Sequence, residues 1–196
     1  MRRLAASAVI AGALAVAGCS GVRTEAPGPT HNVPPLTLVR ILPTPNGLRD
    51  SEPPRLADAA TIQAWLGGIT EPAATKKLQE LGLKGGAVRA WTTGSGGRLR
   101  IVVSQWGDHY AATSVGGDAA EIPLGSPGAH AWTPRAAAGS RGSEVGPPGP
   151  SSRAVSYAVG DIDLFVQSKG AVSQAVVVRQ LTRMMAALGA VSPESG

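Results

Sequence analysis

Cysteine is all but missing from this chain: Cys19 is the only one among 196 residues. A lone thiol makes no internal disulfide and no multi-thiolate metal site, which excludes disulfide-stapled scaffolds and zinc ribbons. Charge is sparse as well, with 18 Lys+Arg against 13 Asp+Glu. Without Arg2 and Arg3 the balance is 16 against 13, a net of +3. No basic run and no basic patch interleaved with aromatics is present, so nothing points to nucleic acid. Catalytic signatures are missing too. There is no Gly-x-Ser-x-Gly, no lysine of the phosphate-loop type after Gly97, and no His-x-x-x-His. No cofactor is implied, and no catalytic or metal-ligating set stands out. The one long apolar run, Leu4 to Ala17, is too short to span a bilayer comfortably.

What is present starts at that run. Arg2 and Arg3 form a short positive region, LAASAVIAGALAVA follows, and Val16-Ala17-Gly18-Cys19 then gives an aliphatic residue, two small ones and a cysteine. The pattern resembles the bacterial lipoprotein signal. It implies removal of residues 1–18 and a diacylglyceryl group on the Cys19 thiol, the side chain nucleophilic enough to accept it. Two or three acyl chains, at about 0.8 kcal/mol per buried CH₂, hold a protein stably where one chain does not. The expectation is a chain anchored in the cell membrane on its extracytoplasmic face. Met1 stands directly before the arginine pair and Leu4-Ala5-Ala6 follow it, a context that favours general secretion over twin-arginine export.

Residues 19–35 are rich in Pro, Gly and polar side chains without periodicity, as expected of a flexible tether. A single body over 36–189 and a short tail, 190–196, complete the chain. Within the body, Leu36 to Leu42 alternates as a strand, and Pro53-Pro54 marks a break. Leu56 to Leu66 has helical spacing. A second helix follows, with Thr70 as its N-cap candidate, Glu71 and Pro72 in the first turn, and Gly82 at its end. Ala87–Thr93 and Arg98–Trp106 make a hairpin across Gly94–Gly97. A short helix from Asp108 to about Val115 ends at Gly116-Gly117. Ala129–Thr133 is a strand, and 134–153 is a low-complexity loop expected to be disordered. Ala154–Val159 and Ile162–Gln167 make a second hairpin around Gly160-Asp161. The closing helix, Ala171 to Leu188, carries the stripe Val177, Leu181, Met184, Leu188. The expected fold is α+β, one antiparallel sheet of two hairpin-then-helix units with helices on one face.

The densest cluster of functional side chains is Trp106-Gly107-Asp108-His109-Tyr110. Asp108 suits an N-cap, which leaves His109 on the first turn. The sharper alternative pairs His109 with His130, as metal ligands or as a base oriented by Asp108. Asp161 and Asp163 alternate, so they share a face, where they would bind a cation or keep a strand wet. Four tryptophans stand against one phenylalanine. Trp65 suits a helix core; Trp91, Trp106 and Trp132 fall on strands, where a cluster would stack on a planar ligand or simply fill the core. His109, His130, Trp106 and Trp132 are therefore the ligand-facing candidates.

The stretch Glu71 to Gly82 followed by Val88-Arg89-Ala90-Trp91 resembles uncharacterised actinobacterial membrane-anchored lipoproteins. Val102-Val103 leading to Gln105-Trp106, Pro127-Gly128-Ala129 before Trp132, and the Gly160-Asp161 turn extend the resemblance over most of Leu56 to Leu188. It implies a small exported α+β domain and carries over no catalytic residue. The leading expectation is a non-enzymatic domain that binds a small ligand or protein partner at the cell surface, held to the membrane through Cys19. The alternatives are a cell-envelope hydrolase whose active site the sequence does not identify, Asp108, His109 and His130 being its least implausible players, and an accessory protein of envelope assembly or sensing.

Overall fold

The computed structural model describes residues 33–44, 48–67, 72–146 and 151–189. The signal 1–18, Cys19, the tether as far as residue 32, the Thr70-Glu71 cap and the tail 190–196 lie outside the described residues. Among the described residues seven strands form one antiparallel sheet: β1 (Arg49–Ala57), β2 (Gly85–Thr92), β3 (Arg98–Gln105), β4 (Ala129–Ala131), β5 (Arg141–Val145), β6 (Ser152–Val159) and β7 (Ile162–Lys169). Their spatial order is β1-β2-β3-β7-β6-β5-β4. The helices are α1 (Pro35–Ile41), α2 (Ala59–Gly67), α3 (Pro72–Glu80), α4 (His109–Glu121) and α5 (Gln174–Gly189). The expected α+β class and both hairpins are borne out. The hairpins β2-β3 and β6-β7 lie side by side, joined where β3 pairs with β7.

Central strands buried on both sides explain the dense apolar runs in β3 and β7. Leu99, Ile101 and Val103 face the same way as Ile162, Leu164 and Val166, and they pack with Leu181, Met184 and Leu188 of α5 and Leu38 and Ile41 of α1. Val102, Ala154 and Phe165 point to the opposite side, against Ile62, Trp65 and Leu66 of α2 and Ala119 and Ala120 of α4. Helices therefore cover both faces, which corrects the expectation of one. The physical reason is the second row of apolar residues on the same strands, which a one-faced sheet would leave wet.

Four local expectations are also corrected. Leu36 to Leu42 is helical and not a strand: Pro34-Pro35 suits a helix start, and Leu38, Ile41 and Leu42 are buried at helical spacing while Leu36 is 67% exposed. The body accordingly begins before Leu36, since Val33 is already buried in the core. Pro53-Pro54 does not break the chain but lies inside β1, an edge strand whose pairing slips at Asp50/Glu52 and Glu52/Arg55. An edge strand has one unpaired side, so it tolerates residues without an N–H. The stretch 134–153, expected as a disordered loop, contains β5, paired to β4 and β6; residues 147–150 of it lie outside the described residues. Finally, α4 runs through Gly116-Gly117 to Glu121.

Arg89 ties the α1–β1 connection down. Its guanidinium donates to both carboxylate oxygens of Asp50, at 3.2 and 2.8 Å, to the Pro43 carbonyl at 3.2 Å and to Thr44 Oγ1 at 3.0 Å. It also lies 4.9 Å from the centroid of the Trp91 ring. A fork of five donors satisfies this many acceptors where an ammonium would not.

Candidate functional site

The sequence candidates separate into three places. At the start of α4, Asp108 is the N-cap, its Oδ1 accepting from the Ala111 N–H at 2.8 Å. His109 follows, half-buried, with Nδ1 2.7 Å from the Gly160 carbonyl and Nε2 3.3 Å from Thr113 Oγ1. A carbonyl only accepts, so Nδ1 carries the proton and Nε2 accepts from the threonine hydroxyl. The imidazole thus clips α4 to the β6–β7 turn, where Gly160 has the positive φ (57°) that a tight hairpin requires.

His130 lies elsewhere. It is exposed on β4, with Nε2 3.7 Å from Glu144 Oε2, and Glu144 in turn binds Arg153 Nη2 at 2.5 Å. Across the sheet His130 lines up with Glu144 and then Arg153, seven residues back along β6 from Gly160. At about 3.3 Å per residue the two histidines are about 20 Å apart, so they share no metal and no proton. Among the described residues no group of three His, Asp or Glu side chains could hold a metal ion.

The tryptophans fill the core. Trp106 is fully buried, its indole N–H donating to Ser104 Oγ at 3.0 Å, so it faces no ligand. Trp91 is buried and Trp132 half-buried on the α1/α5 side of the sheet. Asp161 and Asp163, expected on a wet face, are both fully buried. Asp161 Oδ2 takes Lys84 Nζ and Gln105 Nε2, each at 3.3 Å. Asp163 Oδ1 accepts from Ser156 Oγ at 2.5 Å, and burial pushes its carboxyl up to about 7.

The feature with the shape of a binding site was not among the sequence candidates. A cleft of about 510 Å³ opens where α2 and α4 stop short of the sheet's end, with a contiguous recess of about 160 Å³ beside it. Its floor is set by strand register. Arg98 of β3 pairs with Lys169 of β7, Lys169 with Ser152 of β6, and Ser152 with Val145 of β5. One row inward, Arg100 pairs with Gln167. Alternation puts Arg98 and Arg100 on the same face. Ile122 and Pro123, from the 3₁₀ turn Ile122–Gly125 after α4, form the lip, and Ile122 is 60% exposed. Trp65 closes the recess, its ring centroid 5.6 Å from the Arg100 guanidinium. The 3₁₀ turn is positioned by Arg141 of β5, which binds Glu121 bidentately at 2.9 and 2.7 Å and holds its carboxyl below the usual range.

The cleft is electrostatically one-sided. Among the described residues, three cations and no carboxylate line it. Arg98 gives one nitrogen to Glu52 at 2.9 Å, while Arg100 pairs with no carboxylate among the described residues. Burial, and after it the neighbouring Arg98 guanidinium, depress the Arg100 proton affinity, with the Glu52 carboxylate opposing them. The Nε atoms of Arg98 and Arg100 are buried with no hydrogen-bond partner among the described residues.

No helix among the described residues is long and apolar enough to cross a membrane. No protein-family model matches the chain, and no curated protein sequence matches it. Among solved structures, an Rv0999 ortholog from Mycobacterium smegmatis is 13% identical over 81% of this chain and 97% of that one, at a TM-score of 0.37, too low to carry an argument. The extracellular domain of PknH from Mycobacterium tuberculosis covers the same shares, 81% and 97%, at 8% identity and a TM-score of 0.55. At that identity the likeness is one of fold alone.

Proposed function

We propose that this chain is a non-enzymatic, lipid-anchored domain that binds a small ligand outside the cytoplasm. The observation that carries the reading is the cleft. It falls in the size range of small-molecule sites, combines an apolar lip with a few convergent polar groups, and stands on paired strands that hold those groups in place. The hydrolase alternative has no comparable support. His109 spends both ring nitrogens on clipping α4, Asp108 on capping it, and His130 is about 20 Å away. The extracytoplasmic part rests on the lipobox pattern ending at Cys19, with a fold similar to a domain described as extracellular in support.

Two measurements test the two halves of this reading. Native mass spectrometry of the chain purified from its own host should find a small molecule retained at one per chain. A clean unliganded mass, together with a protein crosslinked on intact cells, would replace ligand binding with partner binding. For the anchor, Cys19→Ser should abolish incorporation of labelled palmitate; undiminished labelling would sink the lipoprotein assignment.

A further inference from the structure

We infer that the cleft between β3, β7, β6 and the 3₁₀ turn is a site for a phosphate ester, with Arg98, Arg100 and Lys169 on the phosphoryl oxygens and Ile122 and Pro123 against the organic part. The inference rests on the ligand-binding reading above and specifies its chemistry. Three observations converge on it. Register, and not side-chain chance, places the guanidiniums of Arg98 and Arg100 and the Lys169 ammonium on adjacent rows of one face. Like charges held this close repel; Glu52 offsets part of this at Arg98, while among the described residues Arg100 and Lys169 pair with no carboxylate. The folded chain therefore holds unspent cationic potential at one spot on its surface.

The second observation is the pair of unpartnered Nε atoms on Arg98 and Arg100. Each is sealed from solvent, so a ligand would meet the outer nitrogens of two guanidiniums whose hydrogen bonding within the described residues is incomplete. The third is the donor set around them. Ser126, Ser152 and Gln167 line the same cleft, and hydroxyls and amides beside two guanidiniums offer more donors than the two oxygens of a carboxylate need. A phosphoryl group, with three oxygens, uses them. The apolar lip argues for an ester over a bare inorganic ion, because Ile122 would otherwise stay exposed with nothing to cover it.

The test uses the full chain with glycerol 3-phosphate as the ester, inorganic phosphate as the bare anion and glycerol as the uncharged counterpart. Calorimetry and backbone amide shifts are the readouts. Saturable one-to-one binding of the ester is expected, weaker binding of phosphate and none of glycerol, with shifts at Ser126 and Ser152. Arg100→Gln should weaken ester binding about tenfold or more, as loss of a charge-assisted pair would. Because Arg100 also packs on Trp65, Lys169→Gln serves as the second variant. Lys169 is exposed, so its loss should leave the unfolding midpoint unchanged and weaken binding about threefold. If the phosphate belongs to a lipid headgroup, phosphatidylglycerol vesicles will bind where the soluble ester does not, and both substitutions will weaken that binding. Vesicle binding indifferent to both, with no ester binding, would overturn the inference. So would an uncharged molecule retained in the native mass spectrum, which would leave the ligand-binding reading standing. A clean unliganded mass with no ester or vesicle binding would bring down both.

Discussion

Gly116→Ala is expected to lower folding stability by about 3 kcal/mol, although alanine is the better helix former by about 1 kcal/mol. A Cβ at Gly116 would stand 2.3 Å from Cγ and Oδ1 of Asp163 and 2.4 Å from Oδ2. The carboxyl has little room to yield. It belongs to a short side chain, is fully buried, and is held by Ser156 Oγ at 2.5 Å. Either α4 lifts from the sheet or Asp163 leaves its rotamer, and both break packing that buries Ala119 and Ala120. Gly117 is the internal comparison. A Cβ there would meet Arg141 at 2.4 to 2.7 Å, but Arg141 is long and partly exposed, so it can swing aside at the loss of its Glu121 pairing. The expected order is wild type above Gly117→Ala above Gly116→Ala in urea midpoints. Adding Asp163→Ala to Gly116→Ala should recover part of the loss, since the two side chains compete for one volume. A neutral or stabilising Gly116→Ala would show that the helix rides high enough over β7 to clear the Asp163 carboxyl.

The same glycines show where sequence reasoning reached its limit. Gly116-Gly117 in a row of alanines has the local signature of a helix stop, and local propensity alone ends α4 there. The helix continues because its glycines face a carboxyl and a guanidinium from two strands, one of them β5. β5 itself was hidden: Arg141-Gly142-Ser143-Glu144 carries no apolar alternation. Its pairing depends on a close approach, a Cβ on Gly142 being 2.6 Å from the Ala154 carbonyl. Where apolar periodicity was strong the pattern sufficed, as in β2-β3, β6-β7 and the Val177–Leu188 stripe of α5. In Leu36 to Leu42 the apolar residues fit a period of two nearly as well as one of 3.6, and the deciding signal was Pro34-Pro35.

The site was less legible than the fold, for a related reason. Histidines and tryptophans stand out in the sequence by side-chain type, and the structure uses His109 for clipping and Trp91, Trp106 and Trp132 for core filling. The cleft is instead made of ordinary arginines and a lysine whose meaning lies in alternation plus register. Arg98-Leu99-Arg100 does announce two guanidiniums on one strand face, and Gln167-Ser168-Lys169 a matching pair on another. What the sequence does not state is that β3 and β7, far apart in the chain, are neighbours in a register that sets Arg98 opposite Lys169. Nor does it state that α2 and α4 end before covering that row.

Asp163→Asn is expected to stabilise the protein by about 4 kcal/mol at about pH 8 and to change it little near pH 4. The sign follows from where the proton sits. Burial raises the folded-state value from 3.8 to about 7, the Ser156 hydrogen bond opposing it. The folded chain therefore holds the proton more tightly than the unfolded chain does. Its contribution to stability is complete below about 4, the unfolded value, and is lost as pH rises through that value to about 7. Above that window the core contains a carboxylate with one oxygen, Oδ2, lacking a hydrogen bond among the described residues, a costly arrangement in a low-dielectric layer. Asparagine keeps the shape and still accepts the Ser156 hydroxyl, but it has no charge to desolvate, so its stability should not fall across the window. Urea midpoints of wild type and Asp163→Asn measured from about pH 4 to about pH 8 should diverge as pH rises, with most of the divergence complete near 7. Parallel curves would mean that Asp163 titrates at its ordinary value, which a group sealed between β7 and Gly116 can do only if water reaches it. In that case the tight seat of α4 on the sheet, and with it the expected cost of Gly116→Ala, would fail together.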